Sequence, residues 1–230
     1  GNTEIYSNLG QDIPVSMIGS SGYGGGIYQH YGIVTLKDGT VIGGDSPAKA
    51  NKAARSGGGI YQYAGSLFLT GTDNDQVQVL YNESMMEGGG IFASDGSIQL
   101  SDAVVSNNKT NGDGGGIYAK SKIYAQNTVI EANTSGGSGG GVYGSEEGYF
   151  RDVLVKGNHA VHGGGMLLGT DSSANRDSYL TNVSIIENTA DSKGGGLYIK
   201  GQRQMDWGVY SYFVGTVYLN DDGSGRSVLR

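Results

Sequence analysis

The stretch Val105-Ser106-Asn107-Asn108-Lys109-Thr110-Asn111-Gly112-Asp113-Gly114-Gly115-Gly116-Ile117-Tyr118 decides the fold. It joins two marks. The first is a β-branched residue followed three positions later by Asn. The second is a glycine triplet that begins six residues after that Asn and precedes two bulky residues. Both marks recur in a shared phase, which indicates a repeated structural unit.

The glycine triplet occurs seven times, always before a pair of large apolar or aromatic residues. The triplets begin at Gly24, Gly57, Gly88, Gly114, Gly139, Gly163 and Gly194. The first residue of each pair is Ile, Val, Met or Leu, and the second is aromatic in six of the seven copies. This pattern predicts a short strand after each triplet.

The asparagine mark lies five or six residues before a triplet through the regular part of the chain. Its residues are Asn82, Asn108, Asn133, Asn158 and Asn188. Looser copies are expected at Ile5–Asn8 and Ile42–Asp45, and an eighth copy, Val217–Asn220, has no triplet after it. Asn tolerates turn geometry, and stacked amides can hydrogen-bond from one repeat to the next, so these residues are predicted to form a structural ladder.

A third apolar pair with period two lies between the glycines and the Asn, as in Leu67/Leu69 and Ile98/Leu100. Each unit of about 25 residues therefore holds three short strand-like runs, and no segment has a sustained helical period. The prediction is an all-β, right-handed parallel β-helix of about seven coils with three short strands each. Handedness follows the rule for parallel crossovers. One domain covers 1–230, with irregular coils over about 1–87, regular coils over about 88–168 and C-terminal coils with inserts over 169–230.

Composition narrows the function classes. The chain has 44 Gly but only 2 Pro and no strict glycine period, which excludes collagen. The absence of Cys excludes a disulfide framework and thiolate zinc sites. A net charge of −7 disfavours nucleic acid as a partner, and no apolar run is long enough for a transmembrane segment. Because the chain begins at Gly1, we interpret it as a mature or excised piece of a protein.

The paired marks resemble the repeat of the chlamydial polymorphic outer membrane proteins, whose marks are Gly-Gly-Ala followed by Ile, Leu or Val, and Phe-x-x-Asn. The chain has Gly where that family has Ala, and Ile or Val where it has Phe. The sequence is also similar to the β-helix repeats of autotransporter passengers and secreted adhesins. The resemblance implies an extracellular or cell-surface location, an adhesive or structural role, and no catalytic residue or cofactor.

The aromatic residue after each triplet is the first candidate site. These residues should stack on one outer face, with Leu167 as an interruption, and are predicted to bind a ligand such as a sugar or to mediate assembly. The alternative is that the stack only stabilises adjacent strands. The column consists of Tyr28, Tyr61, Phe92, Tyr118, Tyr143 and Tyr198.

Inserts supply further candidates, because loops on a rigid solenoid often carry function. Residues Ser46–Arg55 are predicted to form a short basic helix capped by Ser46. Thr72–Asp75 offers oxygen ligands for calcium but lacks the rest of a calcium loop. Residues 169–178 form a polar insert without a signature. The insert over 201–212 is predicted to cap the helix or contact a neighbouring unit through Trp207, Tyr210 and Tyr212.

The sequence contains few residue patterns that would indicate a catalytic or metal site. His159 and His162 lack a third zinc ligand. Arg151-Asp152 and Arg176-Asp177 are expected at comparable positions on adjacent coils, where a carbohydrate-active enzyme would place such residues.

Three functions remain open. The favoured one is a non-catalytic surface adhesin that binds a host-surface or matrix ligand. The second is a filament subunit, since unpaired strand edges at both ends could pair with further copies end to end. The third is a carbohydrate-active lyase or hydrolase.

Overall fold

The computed structural model describes residues 4–5, 9–10, 22–169, 177–200, 202–206, 209–213, 217–220 and 228–229, with side chains described at residue 5 and over 22–169 and 177–200. Within these residues the chain forms a right-handed parallel β-helix with three parallel sheets. The predicted fold is therefore confirmed. One short helix and one antiparallel hairpin lie outside the three sheets.

Sheet 1 contains the strand that follows each glycine triplet. The first residue of each strand points into the helix and the second points outward, which is the alternation expected of a strand. Its strands in the described part of the chain are Ile27–Gln29, Ile60–Gln62, Ile91–Ala93, Ile117–Ala119, Val142–Gly144, Met166–Gly169 and Leu197–Lys200.

Sheet 2 is the longest sheet. In the central coils a single strand bends where one residue takes a positive φ: 51° at Asp102, 47° at Asn127, 54° at Asp152 and 52° at Asn182. Asp and Asn adopt this backbone region more readily than other non-glycine residues. The described strands are Glu4–Ile5, Ile33–Lys37, Val41–Gly43, Ser66–Thr70, Val77–Leu80, Ser97–Ser106, Lys122–Glu131, Gly148–Lys156, Ser178–Ile186, Val217–Asn220 and Val228–Leu229.

Sheet 3 lies between the asparagine mark and the next triplet. Its described strands are Leu9–Gly10, Lys52–Ala53, Glu83–Ser84, Lys109–Thr110, Thr134–Ser135, His159–His162 and Thr189–Lys193. The prediction gave three strand runs per coil, but it split the bent strand of sheet 2 in two and missed sheet 3. The inward residues of sheet 3 include Ser84, Thr110 and Ser135, which are buried and hydrogen-bonded, so the strand carries no apolar signature.

The core is a continuous column of aliphatic side chains inside the three sheets. Ile60, Ile91 and Ile117 stack from sheet 1, and Ile98 and Leu100 face them from sheet 2. All are at most 2% exposed. One coil cannot enclose such a column, so its stability depends on the coils on either side.

The triplets are required by close approach of neighbouring coils. Gly114 has φ 70°, which turns the chain into sheet 1. A Cβ on Gly115 would lie 2.4 Å from the carbonyl oxygen of Gly140 in the next coil. The triplet therefore keeps the corner narrow enough for backbone hydrogen bonds, such as the one from the Gly115 N–H to the Gly139 carbonyl at 3.0 Å.

The predicted helix over Ser46–Arg55 is shorter than expected. Only Pro47–Lys49 forms a 3-10 turn, and the Ser46 side chain makes no capping hydrogen bond. The chain must be extended again by residue 51, because Lys52–Ala53 pairs with strands on both sides in sheet 3. Lys49 instead forms an exposed ion pair with Asp45 at 3.1 Å.

The prediction that Val217–Asn220 is an eighth copy of the asparagine mark is wrong. Val217–Asn220 pairs with Ser178–Thr181 in the first arm of sheet 2, so Asn220 lies beside Thr181 rather than beside Asn188. The hairpin of Gln202–Asp206 and Val209–Phe213 precedes this strand.

The part of the chain that the structure describes contains no helix long and apolar enough to cross a membrane.

Candidate ligand-binding groove

Parallel register brings three tyrosines together on the outer face of sheet 2. Tyr124 pairs with Tyr149, and Tyr149 pairs with Tyr179. Their ring centroids are 5.1 and 5.0 Å apart, and the ring planes differ by 4° and 9°. These three residues are called the tyrosine row. The residues on either side of each tyrosine are buried, so strand alternation fixes the outward direction of the rings.

A second row runs beside the first, because residues two positions along a strand point to the same side. This polar row consists of Thr70, Ser101, Gln126, Arg151 and Thr181. The two rows, extended by Phe68 and Gln99, line an open groove of about 430 Å³. The groove crosses five successive coils along the helix axis.

The tyrosine row presents its ring edges rather than its ring faces. The two faces of Tyr149 are covered by Tyr124 and Tyr179. Tyr124 and Tyr149 are nevertheless each 37% exposed. Because both faces of Tyr149 are covered, its exposed area lies along the ring edge, whereas one face of Tyr124 has no stacked ring. The row can therefore offer hydroxyl groups and ring C–H edges to a ligand at one-coil intervals.

The charges around the tyrosine row are compensated. Lys122 lies two residues before Tyr124 and forms an ion pair with Glu147 at 2.8 Å. The hydrogen bond to Glu147 raises the pKa of Lys122. Partial desolvation, and then the Glu147 carboxylate, raise the pKa of Tyr149. The Tyr149 hydroxyl donates a long hydrogen bond to Glu147 Oε2 at 3.5 Å.

The bend of sheet 2 adds a ladder of alternating acids and amides beside the polar row. The Asn127 amide donates to Asp102 at 3.3 Å, and the Asn182 amide donates to Asp152 at 2.5 Å. Alternation keeps carboxylates out of adjacent coils, where like charges would repel. Each carboxylate at the bend accepts a hydrogen bond from the next coil.

The predicted aromatic column of sheet 1 does form a stack. Successive centroids from Tyr28 through Tyr61, Phe92 and Tyr118 to Tyr143 lie 4.7–5.2 Å apart with nearly parallel planes. The stack ends at Leu167, as expected, and Tyr198 instead lies near His162.

The expected exposure of that column is wrong for its middle. Tyr61, Phe92 and Tyr118 are only 6–8% exposed and form a small core of their own. Burial raises the pKa of Tyr61 to about 12 and also raises that of Tyr118. Rings enclosed in this way stabilise adjacent strands, and only Tyr28, at 44% exposed, presents a large free area.

The asparagine ladder is formed as predicted, and it is one residue longer. Among the described residues, Asn51, Asn82, Asn108, Asn133, Asn158 and Asn188 are joined by side-chain hydrogen bonds of 2.9–3.0 Å. Asn51 replaces the expected Ile42–Asp45 copy. The extra residues around Pro47–Lys49 separate Asn51 from Ile42, which hid the mark, although Asn51 does lie six residues before Gly57.

Other predicted sites are not assembled. In the described residues no three His, Asp or Glu side chains are grouped to hold a metal ion. Thr72 and Asp75 form a backbone bridge in an exposed turn. His159 contacts Thr189 at 3.0 Å and Asp191 at 3.7 Å.

The two Arg-Asp pairs are out of register. Arg151 pairs with Thr181, whereas Asp177 directly precedes Ser178, which pairs with Gly148. Arg176 lies outside the described residues, as do Asn8 and Trp207. Tyr210 and Tyr212 are described only as backbone, in the strand Val209–Phe213, so their predicted end contact stays a prediction.

Sequence reasoning missed the tyrosine row, although a signal was present. Tyr124, Tyr149 and Tyr179 each lie nine residues before a ladder asparagine, and Gln99 holds the same place before Asn108. Aligning the repeats on their asparagines, rather than on their glycine triplets, would have placed these three tyrosines in one column.

Two segments match the family model of the Chlamydia polymorphic membrane protein repeat, residues 102–120 and 182–200. Each match begins at the bend residue of sheet 2, Asp102 or Asn182. It passes through a ladder asparagine and a glycine triplet and ends after the strand of sheet 1. These two segments are similar to the repeat of that family. The matches indicate an outer-membrane or surface protein. No curated protein and no solved structure matches the chain.

Proposed function

We propose that this chain is an adhesive β-helix of a bacterial cell surface, and that it binds an extended ligand along the groove of sheet 2 without catalysing a reaction. The observation that carries the proposal is the row of three stacked tyrosines, two of them exposed, beside a polar row. The repeats of the Chlamydia polymorphic membrane protein family support the surface location.

The scaffold is suited to binding because the groove is built on strands rather than on loops. Tyr124, Tyr149 and Tyr179 lie in strands paired over eight positions between neighbouring coils. Side chains held in this way lose little conformational freedom when a ligand arrives, so more of the contact energy appears as affinity. Tyrosine contributes an apolar ring edge and a hydroxyl at the same position.

The groove is a better candidate than the column of sheet 1. The middle of that column is enclosed, whereas Tyr124 and Tyr149 keep more than a third of their surface in solvent. The groove also has a polar row within reach, which supplies donors and acceptors for orientation. A site of this kind, mostly shaped by apolar and aromatic groups with a few polar ones, is typical of ligand binding.

The test is an adhesion assay with beads coated with the purified chain. The surfaces are cultured epithelial cells and plates coated with fibronectin, collagen or mucin. Replacing both exposed rings, Tyr124→Thr with Tyr149→Thr, should lower bead retention at least tenfold, since threonine keeps the preference for strands. The matched control is Tyr31→Thr with Tyr63→Thr, which removes two exposed rings outside the groove.

Retention of the wild type and the control, with loss in the groove variant, supports the proposal. Equal retention of all three proteins, or no retention on any surface, contradicts it. Far-ultraviolet circular dichroism during heating shows whether each variant keeps its fold.

A further inference from the structure

We infer that the ligand of the groove is a neutral polysaccharide that lies parallel to the helix axis with about one sugar unit per coil. This inference rests on the proposed function, because it names the ligand class of the same groove. It follows from three properties of the groove: its repeat distance, its hydrogen-bonding chemistry and its charge.

The repeat distance favours a sugar polymer over a peptide. The rings of the tyrosine row are spaced at 5.1 and 5.0 Å. An extended peptide advances about 3.3 Å per residue and repeats on one face every two residues, or about 6.6 Å. The side chains on one face of a peptide would therefore not match the spacing of the tyrosine rings beyond two coils. One pyranose unit of an extended chain advances by a distance close to the coil spacing, so each coil can face one unit.

The hydrogen-bonding groups suit a ligand rich in hydroxyls. Three of the five coils offer the hydroxyl of a tyrosine and, beside it, the side chain of Gln126, Arg151 or Thr181. Hydroxyl and amide groups both donate and accept, as sugar hydroxyls do. The ring C–H edges lie between these groups and can pack against the apolar C–H faces of the sugar.

The charge of the groove argues against a polyanion. Lys122, the nearest cation to Tyr124 along its own strand, is paired with Glu147. Arg151 is the cation of the polar row, and the next residue is the acid Asp152. The whole chain carries −7, which repels acidic polymers at long range. A nucleic acid or an acidic glycan would gain little from one guanidinium against that field.

Gln99 interrupts the aromatic row near one end of the groove. It takes the place in the row between Phe68 and Tyr124. An unbranched amide there leaves the Tyr124 face that points towards Phe68 without a stacked ring. This end of the row can therefore accept the face of one sugar ring, while the following coils contact the polymer through ring edges.

Affinity electrophoresis in native gels tests the inference. The gels contain mixed-linkage β-glucan, xyloglucan, galactomannan or soluble starch as neutral polymers, and alginate or heparin as acidic ones. The wild type and the Tyr31→Thr/Tyr63→Thr control should be retarded by at least one neutral polymer. The Tyr124→Thr/Tyr149→Thr variant should lose at least tenfold in affinity for it. Calorimetry with oligomers of that polymer should show affinity rising from two to four sugar units.

Retardation by the acidic polymers alone, by none of the six, or equally for the groove variant would overturn the inference. Its failure is distinguishable from failure of the proposed function. Groove-dependent bead adhesion without retardation by a neutral polymer leaves the adhesive role standing and removes the polysaccharide. Groove-dependent retardation without bead adhesion does the reverse.

Discussion

The side-chain amide of Asn108 donates a hydrogen bond to the Oδ1 atom of Asn133, one coil further along the helix, at 3.0 Å. The backbone N–H of Asn108 donates to the same oxygen at 3.0 Å. Asn133 in turn donates to Asn158 and to the carbonyl of Val105. Asn133 thus links three successive coils, which explains why the spacing between ladder asparagine and triplet hardly varies.

Replacing Asn133 with Ala should destabilise the helix strongly. The substitution leaves the Asn108 amide and N–H without their acceptor in a fully buried position. Unsatisfied buried groups of this kind cost about 3 kcal/mol together. Urea unfolding monitored by circular dichroism measures the change in the free energy of unfolding.

Asn111→Ala is the control for the ladder, because Asn111 is exposed and makes only a long contact with the sulfur of Met85. It should change the free energy of unfolding by less than about 0.5 kcal/mol. Equal effects of the two substitutions would show that the ladder does not stabilise the fold.

Gly115→Ala should be disruptive for steric reasons alone. The added Cβ would meet the Gly140 carbonyl at 2.4 Å and the backbone of Thr134 at 2.7 Å, and neither can move without breaking the pairing between coils. Overpacking of this kind costs about 2 kcal/mol or more. Thermal unfolding should show the loss.

Gly157→Ala separates this effect from backbone strain. Gly157 has φ 62°, but a Cβ there meets nothing within 4 Å. Only the conformational cost applies, at about 1 kcal/mol. If Gly157→Ala proved the more damaging change, close approach of the coils would not be the reason for the middle glycine.

The buried rings of sheet 1 predict loss of stability in alkali. Folding raises the pKa of Tyr61 from 10.0 to about 12, so above pH 10 the unfolded chain releases its proton first. The stabilisation is complete below pH 10 and is lost as the pH rises through 12. Tyr118 shifts in the same direction.

The double variant Tyr61→Phe with Tyr118→Phe should therefore unfold at higher pH than the wild type, as followed by circular dichroism during alkaline titration. Phe92 occupies the same column, which shows that phenylalanine fits there. Tyr31→Phe, at an exposed position, should leave the midpoint unchanged. An unchanged midpoint in the double variant would contradict the account of these rings.

Much of the fold could be predicted from the sequence because each glycine triplet and each ladder asparagine is required at one fixed place in every coil. Gly115 is required by one close contact and Asn108 by one ladder, so each leaves a fixed spacing in the sequence. Sheet 3 could not be found in this way. Its inward residues, such as Ser84 and Thr110, bond to each other and to backbone carbonyls instead of forming an apolar stripe.

The candidate site was less predictable, since exposure depends on what covers a residue. Tyr118 and Tyr124 both point outward from strands, yet only Tyr124 keeps a large exposed area. Neighbouring rings and the corner beside the triplet enclose Tyr118, whereas the face of sheet 2 around Tyr124 stays open. Alternation alone does not distinguish the two environments.

Nuclear magnetic resonance of the ring-labelled tyrosines tests binding in the groove most directly. The chain is titrated with a hexasaccharide of the neutral polymer that retards it in gels, and single Tyr→Phe variants assign the signals. The account predicts that Tyr124, Tyr149 and Tyr179 shift together at one affinity, while Tyr61 and Tyr118 stay unchanged. Shifts at Tyr61, Tyr118 or Tyr31, with the tyrosine row unmoved, would contradict it.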